Sequence, residues 1–151
     1  MTARTLAEWL RWQESLSPHA VELGLERVGV VLGRLKLQAP AGRVVTVAGT
    51  NGKGSVCAFL DSICNAAGIK TGTFTSPHLV SITERIRIDG RDIREDEFAR
   101  HANHVRKMAE QLLTSGELEY RPTFFEQITA IALVAFASAG VDFAILETGL
   151  G

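Results

Sequence analysis

Leu6, Trp9, Leu10, Gln13 and Leu16 recur at helical spacing and predict an amphipathic helix over residues 4–16. A second helix is predicted from about Leu25 to Leu35, with punctuation at Val21 to Gly24 before it. "QAPAGR" then reads as a turn-rich linker. Beyond it the period changes. Val44–Ala48 is a β-branched run that predicts a buried strand, and Lys53–Ala67 predicts a helix ended by Gly68. "KTGTFTS" predicts a second short strand, and "ERIRIDGRDI" alternates around Asp89-Gly90, a hairpin signal. Residues 95–114 predict a polar-faced helix stopped near Ser115-Gly116. "TFFEQITAIALVAFASAG" predicts a strongly apolar helix that ends at Gly140 and packs on the sheet. "VDFAILETGLG" predicts a third buried strand running into glycines.

Strands alternating with helices imply an α/β fold: a P-loop-containing, mainly parallel sheet flanked by helices, with right-handed connections. Residues 1–40 are expected to form an N-terminal helical segment and residues 41–151 a P-loop ATP-binding α/β domain. The last strand runs into the glycine-rich exit where α/β proteins place their ligands. Three strands also make a meagre open sheet, so the chain is expected to be truncated at its C-terminal side.

Composition narrows the function classes. The chain has 151 residues, 46% of them apolar and 22% charged, which reads as a folded globular domain. A net charge of −1 gives no electrostatic case for nucleic acid or an anionic membrane, so any anion site must be local. No apolar run is long enough to span a bilayer, and the N-terminus lacks the apolar stretch of a signal peptide. Cys57 and Cys64 stand seven apart in one predicted helix, about 10 Å by helical rise. That is too far for a disulfide, and reduced thiols suit a cytoplasmic protein.

Between the first strand and its helix lies "GTNGKGS", Gly49–Ser55. Glycines let successive N–H groups turn inward on an anion, and the helix N-terminus adds positive partial charge. Lys53 can reach the outer phosphates, and Ser55 offers a hydroxyl. The loop departs from the usual P-loop: Val47 occupies the place of the first glycine, and Gly54 follows the lysine instead of Ser or Thr. A glycine-rich turn carrying a solvated lysine is the plainer alternative.

Two further groups fall at strand ends on the same edge of the sheet: Ser76 and His78 in "FTSPHL", and Glu147 in "LETGLG". Glu147 is the acid that closes a buried strand, and a carboxylate facing a triphosphate is costly unless a cation lies between them. Magnesium ligation and a structural ion pair are the two readings of Glu147. A turn is the plain reading of Ser76, and a satisfied polar residue that of His78.

"TVAGTNGKGS", "FTSPHL…ERI" and "AILETGLG" together resemble the folylpolyglutamate synthases and dihydrofolate synthases of the Mur ligase superfamily, in order and approximate spacing. "LGLERV" (Leu23–Val28) and "TFFE" (Thr123–Glu126) resemble the same family. The resemblance implies the central ATPase domain of a Mur-type ligase, incomplete here. It also implies an activity that joins L-glutamate to dihydropteroate or a reduced folate, using ATP and Mg2+ through an acyl phosphate. Carried over by position, Thr50, Asn51, Gly52, Lys53, Gly54 and Ser55 bind ATP, with Lys53 catalytic; Ser76 and Glu147 hold magnesium. Val21, Glu22, Leu23, Thr123, Phe124, Phe125 and Glu126 line the folate or dihydropteroate pocket. The full-length enzyme is expected to be a monomer, with the glutamate site in a C-terminal domain absent from this chain. The fragment alone is expected to be inactive.

Simpler roles stand beside these. Core packing would explain Phe124 and Phe125, a helix N-terminal charge Glu126, and a surface hairpin charge Arg85. His101 and His104 are expected on a solvated face rather than as a metal pair. Two other functions remain open: a cell-wall amino-acid ligase of the same superfamily, and a non-catalytic P-loop nucleotide-binding module.

Overall fold

A computed structural model describes residues 5–15, 26–35 and 43–149, Arg43 by its backbone alone. The chain divides into two compact units: Met1–Leu37 with Glu95–Ala135, and Gln38–Arg94 with Phe136–Gly151. The boundary expected near residue 40 falls outside the described residues.

In the first unit, α1 (Leu6–Glu14) opens with a capping box. Thr5 accepts the Glu8 N–H at 3.3 Å, and Glu8 accepts the Thr5 N–H at 2.9 Å. Both spare helix-end donors are thereby satisfied. Trp9 is buried and meets Phe98 edge-on at 5.3 Å. Phe98 belongs to α4 (Glu95–Ser115), whose first turn carries Glu95, Asp96 and Glu97 against the helix dipole. α2 (Glu26–Leu35) buries Val28 and Val31. α5 (Phe124–Ala139) begins in this unit.

The second unit is built on one five-stranded sheet in the order β1-β5-β2-β3-β4. β1 (Arg43–Val47), β5 (Phe143–Glu147) and β2 (Thr71–Phe74) run parallel, with β5 in the centre. β3 (Ile86–Ile88) and β4 (Arg91–Asp92) extend it antiparallel from β2. The hairpin therefore enlarges the three strands expected to five. Its turn has Asp89 at φ 53° and Gly90 at φ 74°, the left-handed pair that a tight two-residue turn requires.

One sheet face carries α3 (Lys53–Ala66): Val45, Val47, Ile145 and Phe143 pack with Cys57 and Leu60. On β2, Gly72 meets Phe136 from the last turns of α5, so closely that a Cβ there would lie 2.5 Å from the ring. The C-terminal turn of the apolar helix thus meets the sheet, and Gly72 is the residue that admits Phe136.

Candidate functional site

β1, β5 and β2 point their C-terminal ends to one edge, and the loop residues cluster there. Gly52 enters α3 at φ 75°, a left-handed conformation that glycine adopts without strain, and no side chain caps the helix start. The first N–H groups of α3 are thus left facing outward, the arrangement that binds anions. Lys53 folds back over the loop, its Nζ donating to the Gly49 carbonyl at 2.7 Å. Thr50, Asn51, Gly52, Gly54 and Ser55 are exposed.

Glu147 closes β5 opposite Val47 and is only 8% exposed. Its Oε2 accepts the Ser76 N–H at 2.8 Å, so the two residues expected to share a cation stand together. Among the described residues no cationic side chain pairs with Glu147. Among the described residues the structural ion pair that competed for this residue is therefore not formed. A Cβ at Gly54 would lie 4.0 Å from Glu147 Oε1, so the atypical glycine after Lys53 borders the carboxylate.

These residues open into a cavity of about 400 Å³, lined among others by Gly54, Asp61, Thr73, Ser76, Arg87 and Glu147. Burial, and secondarily the charge on Glu147, push the Cys57 thiol up to about 11. Cys57 is a packed, protonated thiol and no nucleophile.

Two cavity residues escaped the sequence reading. Asp61 is buried on α3, accepting the Thr71 hydroxyl and, at 3.2 Å, that of Thr73. Its signal was its place four residues after Cys57, on the sheet-facing side. Glu84 accepts the N–H groups of Leu79, Val80 and Ser81 at 2.8, 2.9 and 2.7 Å, bracing the loop after Ser76. These bonds hold its carboxyl below the usual range, those from Leu79 and Ser81 most of all. The capping-box spacing Ser81–Glu84 carried that signal. His78 accepts from Arg85 Nε at 2.8 Å, so neither is a lone surface group. Burial holds the Arg85 guanidinium below its usual value.

The other predicted cluster lies in the first unit. Phe124 and Phe125 are 38% and 42% exposed, which sets plain core packing aside. Phe124 leans on Trp9 at 6.1 Å. Thr123 and Glu126 form a reciprocal cap: Glu126 Oε2 accepts the Thr123 N–H at 2.6 Å and Thr123 Oγ1 accepts the Glu126 N–H at 3.3 Å. The same carboxylate takes Arg27 Nε on both oxygens at 3.2 Å. Val21, Glu22 and Leu23 lie outside the described residues. His101 is buried, against the expectation of a solvated face, while His104 is exposed. Among the described residues no group of three metal-binding side chains forms, and no helix is long and apolar enough to cross a membrane.

No protein-family model matches the chain. It is 45% identical over 149 residues to the dihydrofolate synthase/folylpolyglutamate synthase of Escherichia coli (strain K12), covering 99% of this chain and 33% of that relative. The chain belongs to the dihydrofolate synthase/folylpolyglutamate synthase family. It spans about one third of the length of the Escherichia coli and Haemophilus influenzae relatives. Among solved structures of this family, E. coli FolC in complex with DHPP and ADP superposes with a TM-score of 0.86 at 42% identity, over 99% of this chain and 34% of that one. The Yersinia pestis bifunctional folylpolyglutamate synthase/dihydrofolate synthase complexed with AMPPNP and Mn ion gives 0.85 at 42% identity, over 98% and 34%.

Proposed function

We propose that this chain is the nucleotide-handling part of an ATP-dependent ligase that joins L-glutamate to dihydropteroate, to folyl-(poly)glutamates, or to both. The observation that carries the reading is the uncapped start of α3 beside a buried Glu147 that accepts from Ser76 and has no cationic partner among the described residues. Burying a carboxylate without a cation is costly, so the arrangement makes sense around a bound one.

The donor set fits Mg2+. Glu147 and the hydroxyls of Ser76 and Ser55 are hard oxygen ligands, and a single carboxylate leaves room for phosphate oxygens and water. When bound, the ion would neutralise phosphate charge and align the acceptor. The chain's own residues do the rest. Thr50 to Ser55 wrap the phosphates with backbone N–H groups, and Lys53 moves from the Gly49 carbonyl to the transferring phosphoryl group. The substrate carboxylate attacks the γ-phosphorus, giving an acyl phosphate and ADP. The glutamate amine then attacks the acyl carbon, forming the amide and releasing phosphate and a proton.

Thr123, Phe124 and Phe125, with Val21–Leu23, are the proposed pterin-facing residues; two half-exposed rings suit a flat heteroaromatic ligand. Glu126 would serve that pocket by fixing the helix start, since its oxygens are already engaged. The glutamate site would lie in polypeptide beyond these residues, leaving the fragment without turnover. The complete enzyme would be a cytoplasmic monomer with no nucleic-acid or membrane partner.

The test is a thermal-shift series with Mg-ATP and with dihydropteroate. A ligand that binds only the folded state raises the melting point by mass action. The reading requires a Mg-ATP rise that vanishes in Lys53→Ala and a dihydropteroate rise that survives it. A response to a uridine nucleotide but not to a pterin would move the assignment to a cell-wall ligase.

A further inference from the structure

Gln13 is the polar member of an otherwise apolar helical stripe, Leu6, Trp9, Leu10, Gln13 and Leu16. Gln127 lies in the apolar helix α5 and is only 2% exposed. The two amides meet across 114 residues of sequence, Gln13 Nε2 donating to Gln127 Oε1 at 2.7 Å. Gln127 Nε2 in turn donates to the carbonyl of buried Pro122, also at 2.7 Å. A carbonyl can only accept, so Pro122 fixes which way both amides face.

Two neighbours share this contact. Arg121 lies 5.2 Å over the Trp12 ring, and Phe124 leans on Trp9 at 6.1 Å. Residues 9, 12 and 13 share one face of α1, and that face meets Arg121, Phe124 and Gln127. The glutamine contact is the directional one. A buried amide carries a desolvation cost that an apolar side chain of like size avoids. What the amide adds is a fixed direction for the Pro122 carbonyl, within a relay that rigidifies its surroundings. The Pro122 peptide leads into Thr123, whose hydroxyl caps the start of α5, and then into Phe124 and Phe125.

We propose that Gln127, held by Gln13, is a positioning residue for the pterin-facing start of α5. It sets the angle at which Thr123, Phe124 and Phe125 meet the ligand. The inference rests on the proposed function. It gives that site a second brace: Arg27 of α2 holds the helix start through Glu126, and α1 holds it through Gln127. Binding groups displaced by about 1 Å lose most of their worth, which is why such braces matter.

The experiment is a double-mutant cycle read as dihydropteroate affinity, by calorimetric titration of this chain well below the melting point of every variant. Gln127→Met keeps the length of the side chain and removes both bonds. It should weaken dihydropteroate binding about tenfold, with Mg-ATP affinity unchanged within about twofold. Phe125→Ala should cost about tenfold in the parent but less than about threefold in Gln127→Met, where the ring is already misplaced. Leu112→Val, in the buried stripe of α4, is the control for stability alone. It should lower the melting point and leave dihydropteroate affinity as it was. An equal cost of Phe125→Ala in both backgrounds would overturn the proposal and make Gln127 a packing residue. Parental affinity in Gln127→Met would overturn it too. Should Gln127→Met not fold, Gln13→Met takes its place in the cycle under the same criterion, since it leaves the Pro122 bond intact. A parent chain that binds no dihydropteroate would overturn the functional reading and this inference together, whereas an additive cycle on a binding parent overturns this inference alone.

Discussion

Two glutamates in this chain are equally hidden and oppositely equipped. Glu147 is 8% exposed at the end of β5, and Glu126 is 9% exposed in the first turn of α5. Glu126 has Arg27 across both oxygens and a backbone N–H besides, so its charge is compensated within the fold. Glu147 has one N–H, from Ser76, and no cation among the described residues. Burial alone therefore does not distinguish a structural acid from a ligand-binding one. Under the proposed function the partner set does, because a buried charge without a cationic partner is a cost that a bound cation would offset.

The sharpest way to test that contrast is to remove each acid. Glu126→Ala removes the carboxylate that takes Arg27 Nε on both oxygens, beside an arginine side chain 17% exposed, and deletes the helix cap. Expected is a loss of about 3 kcal/mol in unfolding free energy, roughly 10 °C in melting point for a chain of this size. A melting point unchanged within 2 °C by scanning calorimetry would break the comparison. An uncharged steric control comes next. Gly72→Ala drives a Cβ into the Phe136 ring and should cost about 1–3 kcal/mol, read by urea unfolding. Glu147→Ala follows with the smallest cost of the three. It gives up one hydrogen bond and relieves a buried charge, so stability should stay within about 1 kcal/mol of the parent. Yet the magnesium-dependent part of ATP binding, read by calorimetric titration with and without the metal, should vanish.

Much of this was legible beforehand, and the residues show why. Local signals held: Asp89-Gly90 gives the tight turn, Gly52-Lys53 opens α3 where the loop pattern placed it, and the apolar helix stops before Gly140. Glu147 could be singled out because an acid at the end of a buried strand already violates local expectation. Pairing was not legible. The position of β5 between β1 and β2, and the hairpin's entry into the same sheet, depend on contacts far apart in the chain. The partner of Glu126 sits 99 residues away, which no local pattern reveals. His101 is the instructive miss. Phe98, Ala102 and Val105 define a buried stripe at helical spacing, and residue 101 falls on it, whereas His104, three residues on, falls on the exposed side.

His101 also extends the comparison to a third hidden ionisable group, 7% exposed and without a hydrogen bond or ion pair among the described residues. Here burial is compensated by losing the charge. Desolvation, aided by Arg100 and His104 and opposed by Glu97, holds the imidazole below its ordinary value. The unfolded chain then binds a proton that the folded chain refuses, so stability falls as pH drops below about 6.5, the unperturbed histidine value. The fall continues until the folded-state value is reached. Melting points measured from pH 7.5 to 5 should show this slope, and His101→Gln should flatten it while lowering the pH 7.5 value by no more than about 4 °C, the equivalent of about 1 kcal/mol. An unaltered slope in His101→Gln would place the titration elsewhere and remove His101 from the comparison. A flattened slope would complete it with three similarly buried groups: one paired, one neutralised, and one without a cationic partner among the described residues.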